Sequence, residues 1–595
     1  MPIAQRFKAT TSSMPSPIGG WNARDSLAEM SPLDAVQLDN WFPTPSDVTL
    51  RKGYTRFADA IDDPVNTLMN YSNGTGQELF AVAGTKVYDV TGGTVTEVYD
   101  GLTNDKLQYV NITNSGGSFL VACNGTDPVL VYDGSLWFTM ATTTTAATIS
   151  TIARTSPSAT ATVTTGTAHG LATGNRVTIS GSGDATLDGT YVITVTGSTS
   201  FTYTSTATTT VSVSAGTYTV LGIKGGTVGA TTYTVNSNTF VHVNLFKQRL
   251  YFTQEDTLKV WYLDTNAIGG DAYPLDFGSI AQRGGFLQAM GTWTLDAGEG
   301  ADDYAVFITN MGDVIVYLGT DPSDPTKWAL KGVWKLGQTY TRRCFYKWSG
   351  DLLLLTQDGL VPLASALQSS RLDPRVNLTD KIFYAISQAA DVYSGNFGWQ
   401  IIYFAKQNML LINVPADTGT QQYVMHTITK SWARFTDVSA NCWEIHNEDL
   451  YFGSSDFVGQ FWNTFADDGQ NIKGSVQQAY SYFDARGQLK RFTMVRPIFL
   501  TSGGTPTVSV AINVDFETQN SAGAVSFNPA LNDPGVWDTA VWDQNTWAGG
   551  LQVSKYWQGV TGLGYSGGMY MNIASQGIEV HWPSTDYVME RGGVI

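Results

Sequence analysis

A two-strand pattern recurs along this chain: an apolar stretch, a short polar turn, a second apolar stretch. Arg249-Leu-Tyr-Phe-Thr-Gln-Glu-Asp-Thr-Leu-Lys-Val-Trp-Tyr262 shows its form. Strong copies lie at 78–89, 118–133, 249–262 and 304–317, and weaker ones at 351–361, 401–414 and 449–462. With one large insertion removed, copies recur at roughly 40 to 55 residues, close to the period of propeller blades. Such repetition predicts an all-β architecture: an irregular β-propeller with an inserted small β-barrel and a C-terminal β domain.

Composition supports that class. Only 14% of the 595 residues are charged, 12% are aromatic and 61 are glycine. The charged fraction is well below the roughly 25% of average soluble domains. A surface of uncharged Ser, Thr, Asn and Gly is expected, of the kind that becomes buried in a larger assembly. The net charge of −17 argues against a protein that holds nucleic acid, because Lys and Arg supply most of that affinity. Cys123, Cys344 and Cys442 are odd in number and far apart, which predicts buried free thiols. Met1-Pro-Ile-Ala-Gln-Arg6 lacks the apolar core of a signal peptide. No apolar run reaches the length of about 20 needed to span a bilayer. The chain is expected to be made and folded in a cytoplasm.

The organisation expected is as follows. Residues 1–64 form an N-terminal strap, punctuated by Pro15, Pro17, Pro32, Pro43 and Pro45, with a short helix from Ser31 as N-cap to Leu38. Trp21, Trp41 and Phe42 require burial against another domain. Residues 65–140 are the first part of the propeller. From 141 to 220 Thr, Ser, Ala and Gly dominate, and Val177, Ile179, Tyr191, Ile193, Val195 and Phe201 can fill a small barrel core. A disordered Thr-rich linker is the alternative for this stretch. Residues 221–470 are the second part of the propeller, with edge strands at Thr326–Leu330 and Ser431–Phe435 and a helix near Thr379–Ala390. Residues 471–595 read as a C-terminal β domain of longer strands.

Candidate chemistry is sparse. Gly564-Tyr-Ser-Gly-Gly568 fits the G-x-S-x-G pattern, but an elbow needs a helix after Ser566. Met569-Tyr-Met-Asn-Ile573 is strand-like. His169, His242, His426, His446 and His581 are scattered without metal-ligand spacing. Asp302-Asp303 and Asp467-Asp468 lack the glycine and alternating carboxylates of a calcium loop. Trp537, Trp542 and Trp547 recur every five residues. They either stack on sugar rings or fill a groove between sheets or subunits, and odd spacing along a strand disfavours one flat sugar platform. The sequence assigns no catalytic, cofactor-binding or metal-ligating residue, and no cofactor.

The run Asp39-Asn-Trp-Phe-Pro-Thr-Pro-Ser-Asp-Val-Thr-Leu-Arg-Lys-Gly-Tyr54, leading directly into the first blade, resembles the tail nozzle proteins of short-tailed bacteriophages, also called tail tubular protein B or tail stabilisation protein. The degenerate blades and the terminal Trp-Asp repeats extend the resemblance over most of the chain outside the insert. The insert, through His169-Gly-Leu-Ala-Thr-Gly-Asn-Arg-Val-Thr-Ile179 and Leu187-Asp-Gly-Thr-Tyr191, looks like a small β module grafted into many phage structural proteins. Its role is open: decoration, fibre contact or host contact. The resemblance implies a structural virion protein in the tail, not an enzyme. It implies a hexameric ring below the tail adaptor protein, touching tail fibres or spikes and extending the DNA ejection channel without binding the genomic DNA that passes through. An acidic lining would suit that passage. The alternative function is a receptor-binding tail protein that recognises a host-surface glycan. A third is a propeller glycosidase or lyase, which needs paired carboxylates converging on a pocket.

Overall fold

The computed structural model describes residues 9–594 apart from 145, 297–300, 368–375, 418, 503, 518–522 and 524–550. The chain divides into two compact units. One comprises Asn66–Thr356 with Leu367–Ser370; the other comprises Met1–Val65, Gln357–Ala366 and Arg371–Ile595.

Strands dominate both units, and six small antiparallel sheets are blades of propeller type. Six of the seven sequence copies form the central hairpins of these blades. Phe80 pairs with Asp89, Val121 with Val131, and Phe252 with Trp261. Phe307 pairs with Ile315, and Phe452 with Gly459. The copy at 401–414 is also a hairpin, with Ile402 against Leu411, but it belongs to a nine-stranded sheet.

Within the first unit, successive blades bury their apolar faces against each other. Met69, Phe80, Leu120 and Trp137 join the first blade to the second. Phe138, Phe240, Phe252 and Trp261 join the second to the third. Phe246, Tyr251, Phe307 and Tyr317 join the third to the fourth. Strand alternation produces this stacking, because every other residue faces the neighbouring blade. The expected edge strand at Thr326–Leu330 is present as Trp328–Lys335, outermost in the fourth blade.

The insert is a nearly closed, eight-stranded barrel. Val177, Ile179, Ile193 and Phe201 are buried in its core, and Tyr191 and Val195 pack against it. Arg154 is buried with them (1% exposed). Its guanidinium donates to Thr209 O and to the hydroxyls of Ser205, Thr186 and Thr209. Hydroxyls therefore satisfy a buried cation in a module with very few acids.

In the second unit, the nine-stranded sheet runs from Gln400–Phe404 to Thr507–Val514. A seven-stranded sheet is built around the long strands Gln488–Thr501 and Val580–Val594. The N-terminal segment supplies strands to both, so Trp21, Trp41 and Phe42 are buried as expected.

Three local expectations are corrected. Ser31–Leu38 is not a helix: Asp34–Asp39 is a strand, antiparallel to Ile472–Gln478. Pairing with a long strand outweighs the weak helical signals of Ser31 and Pro32. Ser431–Phe435 is an interior strand, paired along its length with Gly419–His426 and, at Arg434, with Asp39. The strap enters the last blade rather than the first: Gly53–Ala58 pairs with Val458–Thr464 and completes that sheet. The helix near 379–390 is present, as a 3-10 turn at Asp380–Ile382 followed by Phe383–Tyr393.

Candidate functional site

The N-terminal run that carries the family resemblance is also the most heavily anchored stretch of the strap. Arg51 is 1% exposed and forms a bidentate pair with Asp467, at 2.7 and 2.6 Å. The same guanidinium donates to Asn40 Oδ1, Lys52 O and Thr436 O. Asn40 adopts a positive φ of 61° and donates in turn to Thr436 Oγ1 and Lys473 O. Burial pushes the Asp467 carboxyl up, against the pull of Arg51. Breaking such a pair strands a charge in a dry site, which fixes the strap in one register.

The carboxylates and histidines noted in the sequence have structural partners. Asp468 accepts from Arg56 at 2.9 Å, and Asp303 from Lys247 at 2.6 Å. His169 Nε2 lies 3.0 Å from Gly197 O, and His426 Nδ1 lies 3.1 Å from Thr429 Oγ1. Asn447 Nδ2 lies 3.0 Å from His446 Nε2. His242 is pushed down to about 3 by burial and by Arg342, so it stays neutral. His581 lies between Asp47 and Glu579. Among the described residues no group of three or more His, Cys, Asp or Glu side chains is placed to hold a metal.

Ser566 is fully buried, and its Oγ lies 3.4 Å from Asp515 Oδ1. The strand Gly567–Ser575 follows it, so the turn lacks the helix that a hydrolase elbow requires. Cys123, Cys344 and Cys442 are buried free thiols. Burial pushes Cys344 up to about 12 and Cys123 higher still. Neither forms a thiolate at neutral pH. Trp537, Trp542 and Trp547 lie outside the described residues.

The sequence reading missed one surface. Seven of the fifteen large apolar side chains left exposed among the described residues lie between Met494 and Tyr565. They belong to the seven-stranded sheet, on and beside Gln488–Thr501, Gln552–Lys555 and Gln558–Gly564. Leu563 sits opposite Arg491, Gly559 opposite Met494, and Val553 opposite Leu500. Gly559 has open space where a Cβ would stand, which leaves Met494 uncovered. Arg496 lies over the Trp557 ring at 4.4 Å and pairs with Asp586 at 2.6 Å. Behind this face, Pro497, Phe499, Pro506, Val508 and Tyr556 line a small cleft of about 170 Å³. The sequence signal was the run Leu551-Gln-Val-Ser-Lys-Tyr-Trp557, in which apolar residues occupy both faces of a strand.

These features define an all-β protein with propeller blades and a surface built for contact. No family model and no curated protein matches the chain. A computationally designed protein, Ika8, is similar over 68% of this chain and 99% of its own, at 10% identity and a TM-score of 0.30. YCF48 from Cyanidioschyzon merolae is similar over 69% of this chain and 98% of its own, at 9% identity and a TM-score of 0.27.

Proposed function

We propose that this chain is a structural protein of a short-tailed bacteriophage virion: the tail nozzle, a ring of six copies below the adaptor that extends the DNA ejection channel. The observation that carries the reading is the run from Asp39 to Tyr54. It holds the family-like sequence, and Asn40, Trp41, Phe42, Val48, Leu50 and Arg51 within it are all buried. That run spends its residues on fastening the strap to the sheets, which suits a part that bears load. Blades stacked on aromatic side chains add stiffness, since protein interiors are close-packed and resist compression. A chain of net charge −17 repels passing DNA rather than retaining it.

Gold labelling of intact virions with an antibody to this chain, viewed by electron microscopy, tests the reading. Label confined to the tail axis supports it. Label on peripheral fibres or spikes overturns it in favour of receptor binding.

A further inference from the structure

We propose that the outward face of the seven-stranded sheet, around Val553, Trp557, Leu563 and Met494, is the surface through which one copy of this chain binds the next. The inference rests on the ring-forming reading above and names the contact that builds the ring.

Three observations converge on it. First, the face is apolar and open: Leu563 is 62% exposed and Val553 58%. Contiguous exposed apolar patches on soluble proteins mark interaction sites. Second, its margin has the form of an interface rim. Arg496 and Asp586 pair beside Trp557, and Arg491 lies 3.6 Å from Glu590. A centre of aromatic and aliphatic side chains with Arg at the edge is the usual anatomy of a protein contact. Third, the charge points to the occupant. Lys555 is exposed and has no carboxylate partner among the described residues. The chain as a whole carries −17. A second copy therefore offers the acidic surface that complements Lys555 and Arg491. A contact of this face with a different surface of the neighbour is heterologous, and repetition about an axis closes a ring.

The experiment uses the full chain and reads its assembly state by mass photometry and sedimentation velocity over a range of concentrations. The variants are Val553→Glu with Leu563→Glu, Lys555→Glu alone, and Ile428→Glu as a control on another exposed apolar residue. Circular dichroism checks that each folds. Lys555→Glu alters a solvated charge, so it keeps the test valid should the double variant misfold. We expect a ring from the wild type and Ile428→Glu. Val553→Glu/Leu563→Glu should weaken assembly at least tenfold, and Lys555→Glu severalfold. A wild-type ring that all variants retain overturns the inference and leaves the nozzle reading standing. A wild type that stays monomeric at every concentration overturns both.

Discussion

Asp47 Oδ2 lies 2.8 Å from His581 Nδ1, and Glu579 Oε1 lies 3.2 Å from the other ring nitrogen. Both nitrogens face carboxylates, so the geometry selects the doubly protonated imidazolium, which donates on each side. Asp47 sits in the turn between Trp41–Pro43 and Val48–Leu50, and His581 sits on Val580–Val594. The backbone ladder joining these strands has only two pairs, Val48 with Trp582 and Thr49 with His581. The ion pair therefore staples the strap hairpin where its ladder is short. The Asp47 hydrogen bond raises His581 above its ordinary value. Burial alone would raise Asp47, but the His581 and Thr44 hydrogen bonds outweigh it and hold the carboxyl below its usual range.

Stability should follow that staple with pH. His581 is raised in the folded state, so its contribution is fully present below the unfolded value of about 6.5. It is lost as pH rises through the folded value. Asp47 is depressed, so its contribution is present above the unfolded value of about 4 and is lost as pH falls through the folded one. Thermal unfolding of the wild type and His581→Gln between pH 5 and pH 9 measures this. The wild type should lead most near pH 6 and lose its lead toward pH 9. A lead independent of pH would mean that the ring contributes by packing alone.

Arg51 and Asp467 should be strongly coupled. Truncating either member leaves a buried charge unpaired, which costs roughly 3–5 kcal/mol. Arg51→Met or Asp467→Asn should therefore lower the unfolding midpoint and expose the strap to protease near Lys52. Arg51→Met with Asp467→Leu should recover part of the loss. Limited proteolysis and a double-mutant cycle on the midpoints read both effects. If the single losses simply add, the pair is not coupled.

The hairpins were legible because each writes its apolar alternation in local sequence, and most of the fold class follows from that repetition. Turn chemistry was less legible. Lys247 and Gln248 both take positive φ, 49° and 59°, in the turn between Phe246 and Arg249. Asn447 and Glu448 do the same, at 47° and 64°. These are turns that prefer Asn-Gly, so the flanking strands impose the geometry on residues that do not signal it. The strand at Asp34–Asp39 was illegible because its partner, Ile472–Gln478, lies more than 400 residues away. The exposed face around Trp557 escaped for a related reason. Its residues gather from strands whose register depends on a bulge between Phe492 and Met494.

Lys490 should prove indispensable despite carrying no acid partner. It is fully buried, and its ammonium donates to Ala485 O at 2.6 Å, Gln488 O at 2.9 Å and Tyr565 O at 2.7 Å. Burial, with Arg591 nearby, pushes its pKa down. Lys490→Met keeps much of the volume but strands three carbonyls, at about 1–3 kcal/mol for each that water cannot reach. The variant should lose several degrees in its unfolding midpoint and exchange the amides of residues 485–490 faster. Unchanged exchange there would show that the loop holds itself.

The inserted barrel should be removable. Its ends meet: Ala141 and Gly222 form a bridge, and Ile223 N donates to Ala141 O at 2.8 Å. A Cβ on Gly222 would fall 2.3 Å from Thr143 O and 2.4 Å from Ala141 O, so only glycine allows the two stems to approach. The barrel also has its own core, from Ile149 and Ile152 to Tyr218 and Val220. Replacing residues 142–221 by a short Gly-Ser link should leave the blades folded, and residues 142–221 alone should fold. The expected penalty is modest: Val192 and Leu221 pack on the core between the second and third blades. Trimming such apolar contacts costs about 1–3 kcal/mol. Circular dichroism and thermal unfolding of both pieces measure the outcome. An aggregated remainder would mean that the barrel is a wedge the blades require, and Gly222→Ala would then unfold the whole unit rather than the insert.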